Sequence, residues 1–487
     1  MFRKVIITLS LLVVFLTSSF SQSALVDQGP EDEPTRYNIV LFIADDLGAN
    51  DIGPYGNVIV RTPSIDRLAG ESLLFSNAFA SSPTCSPSRA SILTGLMPFR
   101  NGAHANHSGI KSGIRTMPDY LRSMGYKTAL AGKYHIGPRE SYPFELIHHS
   151  NVPEAGKEDQ GVLWTNLDMS PVKAWLSGAA RSDSAFLLIV NDHSPHVIWP
   201  EVPDYEPSMV DIPVYHVDTE ETRLSRARYY TDIEKMDRNL GILLESLEVN
   251  GLAEKTIVVF TSDQGPQWAF GKWNLYDYGV RVPLLIKWPA VVSGGATTDA
   301  LVSLVDLLPT FVEMTGGDVP SFPEQVDGIS LVPLLRGERN HSRTQVYGTH
   351  TGDGNMNRSP MRMIRTGRYK YILNLAPEIE YTTHIDLSKN HDGGRQYWDS
   401  WVDRSYETQR AAWVLWRYHH RPAEELYDVL NDPNESYNIS GDPAYEKVLT
   451  RFRAQLSIWR NRQGDEENGP YTPPAGETSS EIPYIFK

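Results

Sequence analysis

Four short apolar runs constrain the fold of this chain more than any other feature of its sequence. They are rich in β-branched residues and nearly continuous, which is typical of strands buried on both faces of a sheet. The runs are YNIVLFIA (37–44), YKTALAG (126–132), SAFLLIV (184–190) and KTIVVFTS (255–262). Helical periodicity separates them and is clearest over residues 229–252. Strands that alternate with helices predict an α/β fold with a large, mostly parallel sheet flanked by helices.

Polar residues follow each apolar run directly. In open parallel sheets, ligands bind beyond the carboxyl ends of the strands. The polar residues at these ends are, in chain order, Asp45, Asp46, Lys133, His135, His196, Asp263 and Gln264. We therefore expect four segments that are distant in sequence to assemble a single site.

The aspartates at these strand ends indicate a bound cation. Asp45 and Asp46 are adjacent, and two neighbouring carboxylates repel each other unless a cation neutralises them. Asp263 and Gln264 supply further oxygen atoms at another strand end. Such oxygen ligands suit Ca²⁺ or Mg²⁺ better than Zn²⁺. The alternative interpretation is that these residues only cap turns.

Cys85 is the only cysteine among 487 residues, so the chain has no intrachain disulfide. Pro87 favours the first turn of a helix, which places Cys85 at a helix N-terminus. Unpaired backbone N–H groups bind anions there, and Arg89 lies about one turn further on. A nucleophile at Cys85 would be placed to attack a sulfuryl or phosphoryl centre. The alternative is that Cys85 is a small buried apolar residue.

The N-terminus and the net charge limit the location and the partners. Arg3 and Lys4 precede an apolar run over residues 5–16, a pattern typical of a secretory signal peptide, which we assign to residues 1–24. That run is too short for a membrane span. We therefore expect an exported protein, periplasmic or secreted, without a membrane span. The net charge of −15 argues against nucleic-acid binding.

The composition changes along the chain and predicts its division. We assign residues 25–340 to a catalytic α/β domain and residues 341–465 to a smaller C-terminal α+β subdomain. In this subdomain we expect a strand at 368–375 and a last helix at 445–459. The tail, residues 466–487, is rich in Gly, Pro, Glu and Thr, which predicts loose order.

The segment around the single cysteine resembles a known signature. CSPSRASILTG (85–95) is similar to the C-x-P-x-R motif of the type I sulfatases in the alkaline-phosphatase superfamily. The resemblance covers nearly the whole mature chain and includes Asp45-Asp46, GKYHIG (132–137), SPH (194–196) and TSDQG (261–265). GKWNLY (271–276) and the stretches from SPMRMIRTGRYKYILNL to RPAEELYD are most similar to the N-sulfoglucosamine sulfohydrolase, or sulfamidase, branch.

This resemblance implies a modified cysteine and a metal. A formylglycine-generating enzyme would oxidise Cys85 to formylglycine (3-oxoalanine), and the hydrate of that aldehyde would attack sulfur. Calcium is the implied metal, with Mg²⁺ as the second choice. Its implied ligands are Asp45, Asp46, Asp263, Gln264 and an oxygen of the modified Cys85.

The resemblance also assigns roles to the basic residues. Arg89 would stabilise the hydrate and the sulfate, while Lys133, His196 and Lys272 would hold the sulfate oxygens. His196 or Lys272 would protonate the leaving oxygen. His135 would take a proton from the second hydroxyl of the hydrate, so that free sulfate is released.

Two positions depart from the common pattern of the family. Gln264 stands where Asn is frequent, which moves the amide oxygen one methylene further out. Lys272 stands where the sulfamidase branch has Arg, so the charge is kept but bidentate geometry is lost. The second departure weakens the inference to an N-sulfated substrate.

We expect the substrate to be a sulfated carbohydrate. Export together with a sulfate-handling site suggests a polysaccharide or its oligosaccharides, such as ulvan, carrageenan or a glycosaminoglycan, and the signal peptide favours a bacterial host. The predicted substrate-binding residues are His104, His107, Trp199, His350 and Arg362. The alternatives are an N-sulfoglucosamine sulfohydrolase, a phosphodiesterase or phosphonate hydrolase of the same superfamily, and a glycan-binding protein with unmodified Cys85.

Overall fold

The structure, a computed structural model, describes residues 36–158, 162–317, 325–387 and 395–472. The predicted signal peptide lies outside the described residues. In the described ranges, no helix combines the length and the apolar character that a bilayer crossing requires.

An eight-stranded sheet forms the centre of the molecule. Its strands are β1 Asn38–Ala44, β2 Leu73–Phe75, β3 Lys127–Gly132, β4 Glu145–Leu146, β5 Phe186–Asn191, β6 Thr256–Ser262, β7 Leu284–Lys287 and β8 Ala296–Thr298. They lie in the order β8-β2-β7-β6-β1-β5-β3-β4. Strand β7 is antiparallel to both of its neighbours, and the other pairs are parallel. The prediction of a mostly parallel sheet is confirmed.

The four apolar runs form the middle of this sheet. They are β6, β1, β5 and β3, which are neighbours in that order. Every residue of β1, β5 and β6 is buried, which explains why these strands show no alternation of polar and apolar residues. Ala44 pairs with Ser262, and Gly132 pairs with Asn191, so the strands end together. The polar residues that follow them therefore meet at one edge.

Helices cover both faces of the sheet. The longer helices of the described chain are α1 Pro63–Gly70, α2 Cys85–Thr94, α3 Met117–Ser123, α4 Ser170–Ala179, α5 Glu220–Val249, α6 Leu307–Met314, α7 Arg395–Ser405, α8 Gln409–His419 and α9 Glu446–Gln463. Helices α1, α4 and α5 pack on the face that carries Val40 and Phe42. Helices α2, α3 and α6 pack on the opposite face, against Ile39 and Leu41. This arrangement confirms the predicted layers.

The helix predicted at 229–252 begins earlier, at Glu220. The Thr219 hydroxyl accepts a hydrogen bond from the backbone N–H of Thr222 at 3.1 Å and caps the helix. Glu220 and Glu221 in the first turn also favour this start, because the N-terminal end of a helix carries partial positive charge.

Short elements complete the main domain. A three-stranded sheet contains Ala78–Phe79, Arg281–Val282 and Val302–Ser303, and a hairpin pairs Asn151–Pro153 with Thr165–Leu167. Four-residue helices occur at Pro98–Asn101, Asp277–Val280, Val332–Leu335 and His384–Leu387.

A smaller antiparallel sheet forms the C-terminal part, as predicted. Its strands, in spatial order, are β9 Gln345–His350, β10 Met361–Thr366, β11 Tyr369–Asn374 and β12 Glu424–Asp428. Helix α9 packs on this sheet through Phe452 and Leu456 against Ile364 and Tyr371. It ends at Gly464, whose left-handed φ of 71° closes the helix. The division at residue 340 stays a prediction.

The start of the predicted loose tail is packed against this sheet. Glu467 forms an ion pair with Arg362 at 2.6 Å, and the backbone N–H of Tyr471 donates to the carbonyl of Arg358 at 3.1 Å. Residues 466–472 are therefore held by the C-terminal part. The rest of the predicted tail lies outside the described residues.

Candidate active site

Helix α2 carries Cys85 into the centre of the site. Cys85 is its first residue and is buried, and Thr84 before it is in an extended conformation. Every residue of α2 is buried, and Gly95 closes the helix in the left-handed region with φ 65°. The predicted helix after Pro87 is confirmed. Burial raises the pKa of the Cys85 thiol to about 12, so the unmodified side chain is a poor nucleophile.

The turn after β1 directs two aspartates at this cysteine. Asp46 has a φ of 66°, a conformation that residues other than glycine adopt less often. The turn is held by the backbone N–H of Asp46, which donates to Asp263 Oδ1 at 3.2 Å. As a result, Cys85 Sγ lies 3.7 Å from Asp45 Oδ1 and 4.0 Å from Asp46 Oδ1.

The residues after β6 complete an oxygen-rich cluster. Gln264 Nε2 donates to Asp46 Oδ1 and lies 3.1 Å from Cys85 Sγ. Gln264 Oε1 is buried and has no hydrogen-bond partner among the described residues. Burial raises the pKa of Asp46 to about 6 and that of Asp263 to about 7. Buried neighbouring carboxylates are costly without an added positive charge.

These residues fit a hard divalent cation. Ligand atoms of Asp45, Cys85 and Asp263 lie within 4.8 Å of one another, and so do those of Asp46, Cys85 and His196. Carboxylate and amide oxygens are the ligands that Ca²⁺ and Mg²⁺ prefer. The unpartnered oxygen of Gln264 is an available donor in the same cluster.

Arg89 lies on the other side of the cluster. Its Nε donates to Asp263 Oδ2 at 2.8 Å, and one terminal nitrogen lies 3.4 Å from Asp45 Oδ1. The other terminal nitrogen, Nη1, is buried and has no hydrogen-bond partner among the residues that the structure describes. Arg89 therefore retains donor capacity for an anion beside Cys85.

Two lysines approach Cys85 from other segments. Lys133 forms an ion pair with Asp45, and its Nζ lies 3.8 Å from Cys85 Sγ. The position before Lys133 accepts only a glycine. Gly132 has a φ of 79°, and a Cβ atom there would lie 1.9 Å from the carbonyl oxygen of Asn191. Lys272 Nζ lies 2.8 Å from Asp46 Oδ2.

The two histidines of the predicted catalytic set line different cavities. His196 Nε2 lies 3.5 Å from Asp46 Oδ2, and burial lowers the pKa of His196 to about 3. His135 has a φ of 32°, and burial lowers its pKa well below the usual value. One cavity includes His135 and His107 in its wall, and another includes His196, Asp45 and Lys133. Arg89, Lys133, His196 and Lys272 thus lie at the aspartates beside Cys85, whereas His135 lies in the wall of a cavity that Ser86 also lines.

Of the five predicted substrate-binding residues, His107 lies beside His135 of the predicted site. Its ring centre is 5.0 Å from that of His135, and its Nδ1 lies 3.2 Å from Asp353 Oδ1. His104 stacks on Phe99 with 4.7 Å between ring centres, and its Nδ1 is 3.6 Å from a carboxylate oxygen of Glu467. His107 remains a candidate for substrate contact.

The other three predicted substrate-binding residues are buried and have internal partners. Trp199 stacks on Trp268 at 5.0 Å between ring centres. His350 lies 3.1 Å from Asn357 Oδ1. Arg362 is 0 % exposed and pairs with Asp465 at 2.6 Å and with Glu467. These positions do not fit the predicted substrate contact, and we do not propose it for them.

The buried Arg362 pair gives a stability prediction. Substitution Arg362→Met removes one of the two arginines that pair with the buried Asp465 carboxylate. Arg460 remains at 2.7 Å, so we expect the free energy of unfolding to fall by about 1–3 kcal/mol. Urea denaturation measures this. Arg339, an exposed arginine, provides the control Arg339→Met, which we expect to change stability by less than about 0.5 kcal/mol. Equal stability of the two variants would contradict the structural role.

His193, Trp164 and Lys235 are among the residues that line the cavity beside His196 and that the sequence did not predict. His193 Nε2 donates a hydrogen bond of 2.6 Å to Asn151 Oδ1. His193 could have been found, because it follows an apolar run directly. No sequence signal marks Lys235, which lies on a helix with many charged residues, or Trp164, which lies between strands of a hairpin.

A comparison with protein families decides the assignment. The family model described as Sulfatase matches residues 37–317, more than half of the chain. The chain belongs to the sulfatase family. A second family model, described as N-sulphoglucosamine sulphohydrolase, C-terminal, matches residues 265–400 of this sulfatase. The resemblance to type I sulfatases is confirmed, and so is the prediction of a sulfuric ester hydrolase.

Relatives of known name support the assignment. An ulvan-active sulfatase of Formosa agariphila is 32% identical over 435 residues, which cover 88% of this chain and 80% of that protein. Human N-sulphoglucosamine sulphohydrolase is 30% identical over 464 residues, covering 87% and 89%. The solved structure of a 2-O GAG sulfatase has a TM-score of 0.65 at 22% identity, covering 88% and 93%, and shows the same fold.

Proposed function

We propose that this sulfatase hydrolyses sulfate esters of a sulfated polysaccharide, or of its oligosaccharides, with a formylglycine made from Cys85 and with Ca²⁺. The observation that carries the proposal is the surroundings of Cys85. Its Sγ lies within 4.0 Å of Asp45 and Asp46, 3.8 Å from Lys133 Nζ and 3.1 Å from Gln264 Nε2. A nucleophile here faces both the oxygen ligands of a cation and the cationic side chains that an anionic substrate needs.

The residues that would hold Ca²⁺ are Asp45, Asp46, Asp263 and Gln264. When bound, the ion supplies positive charge beside the reacting sulfate, and the hydrated aldehyde supplies a nucleophilic hydroxyl. We assign the binding of sulfate oxygens to Lys133, Lys272, His196 and Arg89. The free donor of Arg89 supports this role, because its Nη1 is buried and has no partner among the described residues.

Proton transfer is assigned to three side chains. His196 and Lys272 lie 3.5 Å and 2.8 Å from the same oxygen, Asp46 Oδ2, so either is placed to protonate an oxygen that leaves on that side. His135 lines the other cavity and would take the proton of the second hydroxyl at residue 85. The two proton transfers thus occur on different sides of Cys85.

The substrate class is proposed from the names of two relatives and from the side chain of Lys272. Both the ulvan-active relative and the N-sulphoglucosamine relative have names that indicate a sulfated carbohydrate. Lys272 stands where the sulfamidase branch has Arg, and a single ammonium cannot bind two oxygens in the bidentate way of a guanidinium. We therefore propose an O-sulfated sugar before an N-sulfated one. The proposed location is exported, and the proposed maturation partner is a formylglycine-generating enzyme.

Two measurements on the purified protein test this proposal. The peptide that contains Cys85 should show the mass of formylglycine, and the protein should release sulfate from nitrophenyl sulfate and from at least one sulfated oligosaccharide. A panel of ulvan, carrageenan and glycosaminoglycan oligosaccharides identifies the sugar, and an N-sulfated glucosamine tests the sulfamidase alternative. An intact thiol in fully active protein, or faster turnover of phosphate diesters or phosphonate monoesters than of sulfate esters, would sink the proposal.

A further inference from the structure

The cavity beside His196 has the features of a binding site for a charged sugar. It has a volume of about 280 Å³, close to the lower end of ligand pockets, which begin at about 300 Å³. Its inner end is formed by Asp45, Lys133 and His196 of the catalytic cluster, and its outer wall includes Trp164 and Lys235. The cavity therefore leads directly from the reacting sulfate toward solvent.

This cavity, rather than the one beside His135, is on the side of the leaving group. His196 and Lys272 are the two candidates for protonating the leaving oxygen, and the sugar is attached to that oxygen. His196 lines the cavity of Lys235, whereas His135 lines a cavity whose walls are mainly apolar. The sugar that carries the scissile sulfate must therefore occupy the cavity that Lys235 lines.

Lys235 is held in place by its neighbours and keeps one donor available. Its Nζ donates to Asn166 Oδ1 and lies 3.3 Å from Asp232 Oδ1. An ammonium has three N–H groups, so one remains for a ligand. The side chain is 32% exposed, so it is reachable from the cavity. Lys235 is thus an oriented cation that needs little reorganisation to bind an acceptor.

Charges of both signs surround the cavity, and the carboxylates of Asp232, Asp192 and Glu154 attract Lys235. Asp232 is buried and accepts a hydrogen bond from the Ser194 hydroxyl at 3.0 Å, while Glu154 is exposed at the rim. Asp45 belongs to the proposed calcium ligands, so its charge is offset in the loaded enzyme. Lys157 adds a cation near the rim, because its Nζ lies 4.2 Å from the centre of the Trp164 ring.

We propose that Lys235 binds an anionic substituent, a carboxylate or a second sulfate, of the sugar that carries the scissile sulfate, with Trp164 against the sugar ring. This inference rests on the proposed sulfatase reaction and specifies its substrate as a sugar unit with two anionic groups. Lys235 is then a specificity-determining residue. The aromatic ring and the charge-assisted donor together match an acidic sugar better than a neutral one.

The test compares wild-type enzyme with Lys235→Met and Lys235→Arg. Four substrates are used: nitrophenyl sulfate, a neutral monosulfated sugar, a uronic acid with one sulfate, and a sugar with two sulfates. We expect Lys235→Met to lower kcat/KM by about tenfold or more for at least one of the two dianionic sugars, mainly through KM. For the two monoanionic substrates we expect less than a threefold change, and Lys235→Arg should retain most of the activity. The arm that responds shows whether the anion is a carboxylate or a sulfate.

Lys173, an exposed lysine on α4, provides the control Lys173→Met, which we expect to leave all four rates unchanged. An equal loss on all four substrates would overturn the inference, because it would show that Lys235 acts only through Asp232 and Ser194. Unchanged rates in Lys235→Met, or a wild-type enzyme that cleaves neutral and acidic sugars equally, would also overturn it. If wild-type enzyme with confirmed formylglycine cleaved no sulfate ester, the proposed function itself would fail.

Discussion

Replacing Cys85 with alanine is expected to lower kcat/KM for nitrophenyl sulfate by at least about 10⁴-fold, because the covalent route through residue 85 is lost. The surrounding charges are directed at this position. Cys85 Sγ lies within 4.0 Å of side-chain atoms of Asp45, Asp46, Lys133 and Gln264. These groups would still bind sulfate, but no nucleophile would face it. Initial rates measured with equal amounts of folded protein check the loss.

The variant Cys85→Ser separates nucleophilic attack from turnover. Serine keeps a hydroxyl at the same position but cannot form a hydrate with a second hydroxyl, so a sulfated enzyme has no route to release. We expect a burst of at most one equivalent of nitrophenol per enzyme and then no turnover. The intact mass of the protein should show a sulfate adduct. Thermal unfolding of both variants should stay close to wild type, since little volume is removed. Continued turnover by either variant would rule out the covalent mechanism through residue 85.

The four central strands could be predicted because their residues are buried on both faces. A strand of that kind leaves a continuous apolar run in the sequence, and β1, β5 and β6 are buried throughout. The polar residues at their ends could then be grouped, because parallel strands bring their carboxyl ends to one edge. Local helix rules place Cys85, since Pro87 is favourable in the first turn of a helix and α2 begins at Cys85.

The residues further from the reacting centre could not be predicted in the same way. The position of Arg362 near the motifs predicts substrate contact, but the sequence around an arginine does not show which carboxylates pair with it. One of its partners, Glu467, comes from the segment whose composition predicts loose order, and the other, Asp465, immediately precedes that segment. Trp199 was similarly misjudged, because its proximity to His196 in sequence does not reveal that it stacks on Trp268.

Lys235, in contrast, lines the cavity beside the active site although the sequence does not predict it there. Its helix α5 contains many charged residues, and the sequence cannot show which of them turns toward the active site. The hairpin with Asn166 and the loop with Ser194 bring neighbours from two other segments to this lysine and to its partner Asp232. Specificity residues of this kind depend on contacts between segments, whereas the catalytic cluster follows from the ends of strands.

Removing calcium is expected to abolish activity and to lower the thermal midpoint by a few degrees. The carboxylates of Asp45, Asp46 and Asp263 are at most 1% exposed and adjoin one another, and without the ion the positive charges that pair with them among the described residues are those of Arg89, Lys133 and Lys272. If calcium is present at about one hundred times its Kd, its binding adds about 2.7 kcal/mol of stability, which a chelator removes. For a domain of this size that corresponds to a few degrees. Thermal unfolding and nitrophenyl sulfate turnover are measured before and after chelation, with elemental analysis for bound metal.

Restoring metals and changing single ligands show whether this effect arises at the predicted site. Calcium should restore both properties, and Mg²⁺ should restore them less. The variant Asp46→Asn removes one charge with little change of shape, so we expect its activity to fall by at least about 100-fold and its unfolding to depend less on calcium. The exposed Asp299 gives the control Asp299→Asn, whose calcium dependence should match wild type. Full activity and an unchanged midpoint after chelation, with no metal left in the protein, would show that this cluster works without a metal ion. The buried charges of Asp45, Asp46 and Asp263 would then be balanced by side chains alone, those of Arg89, Lys133 and Lys272.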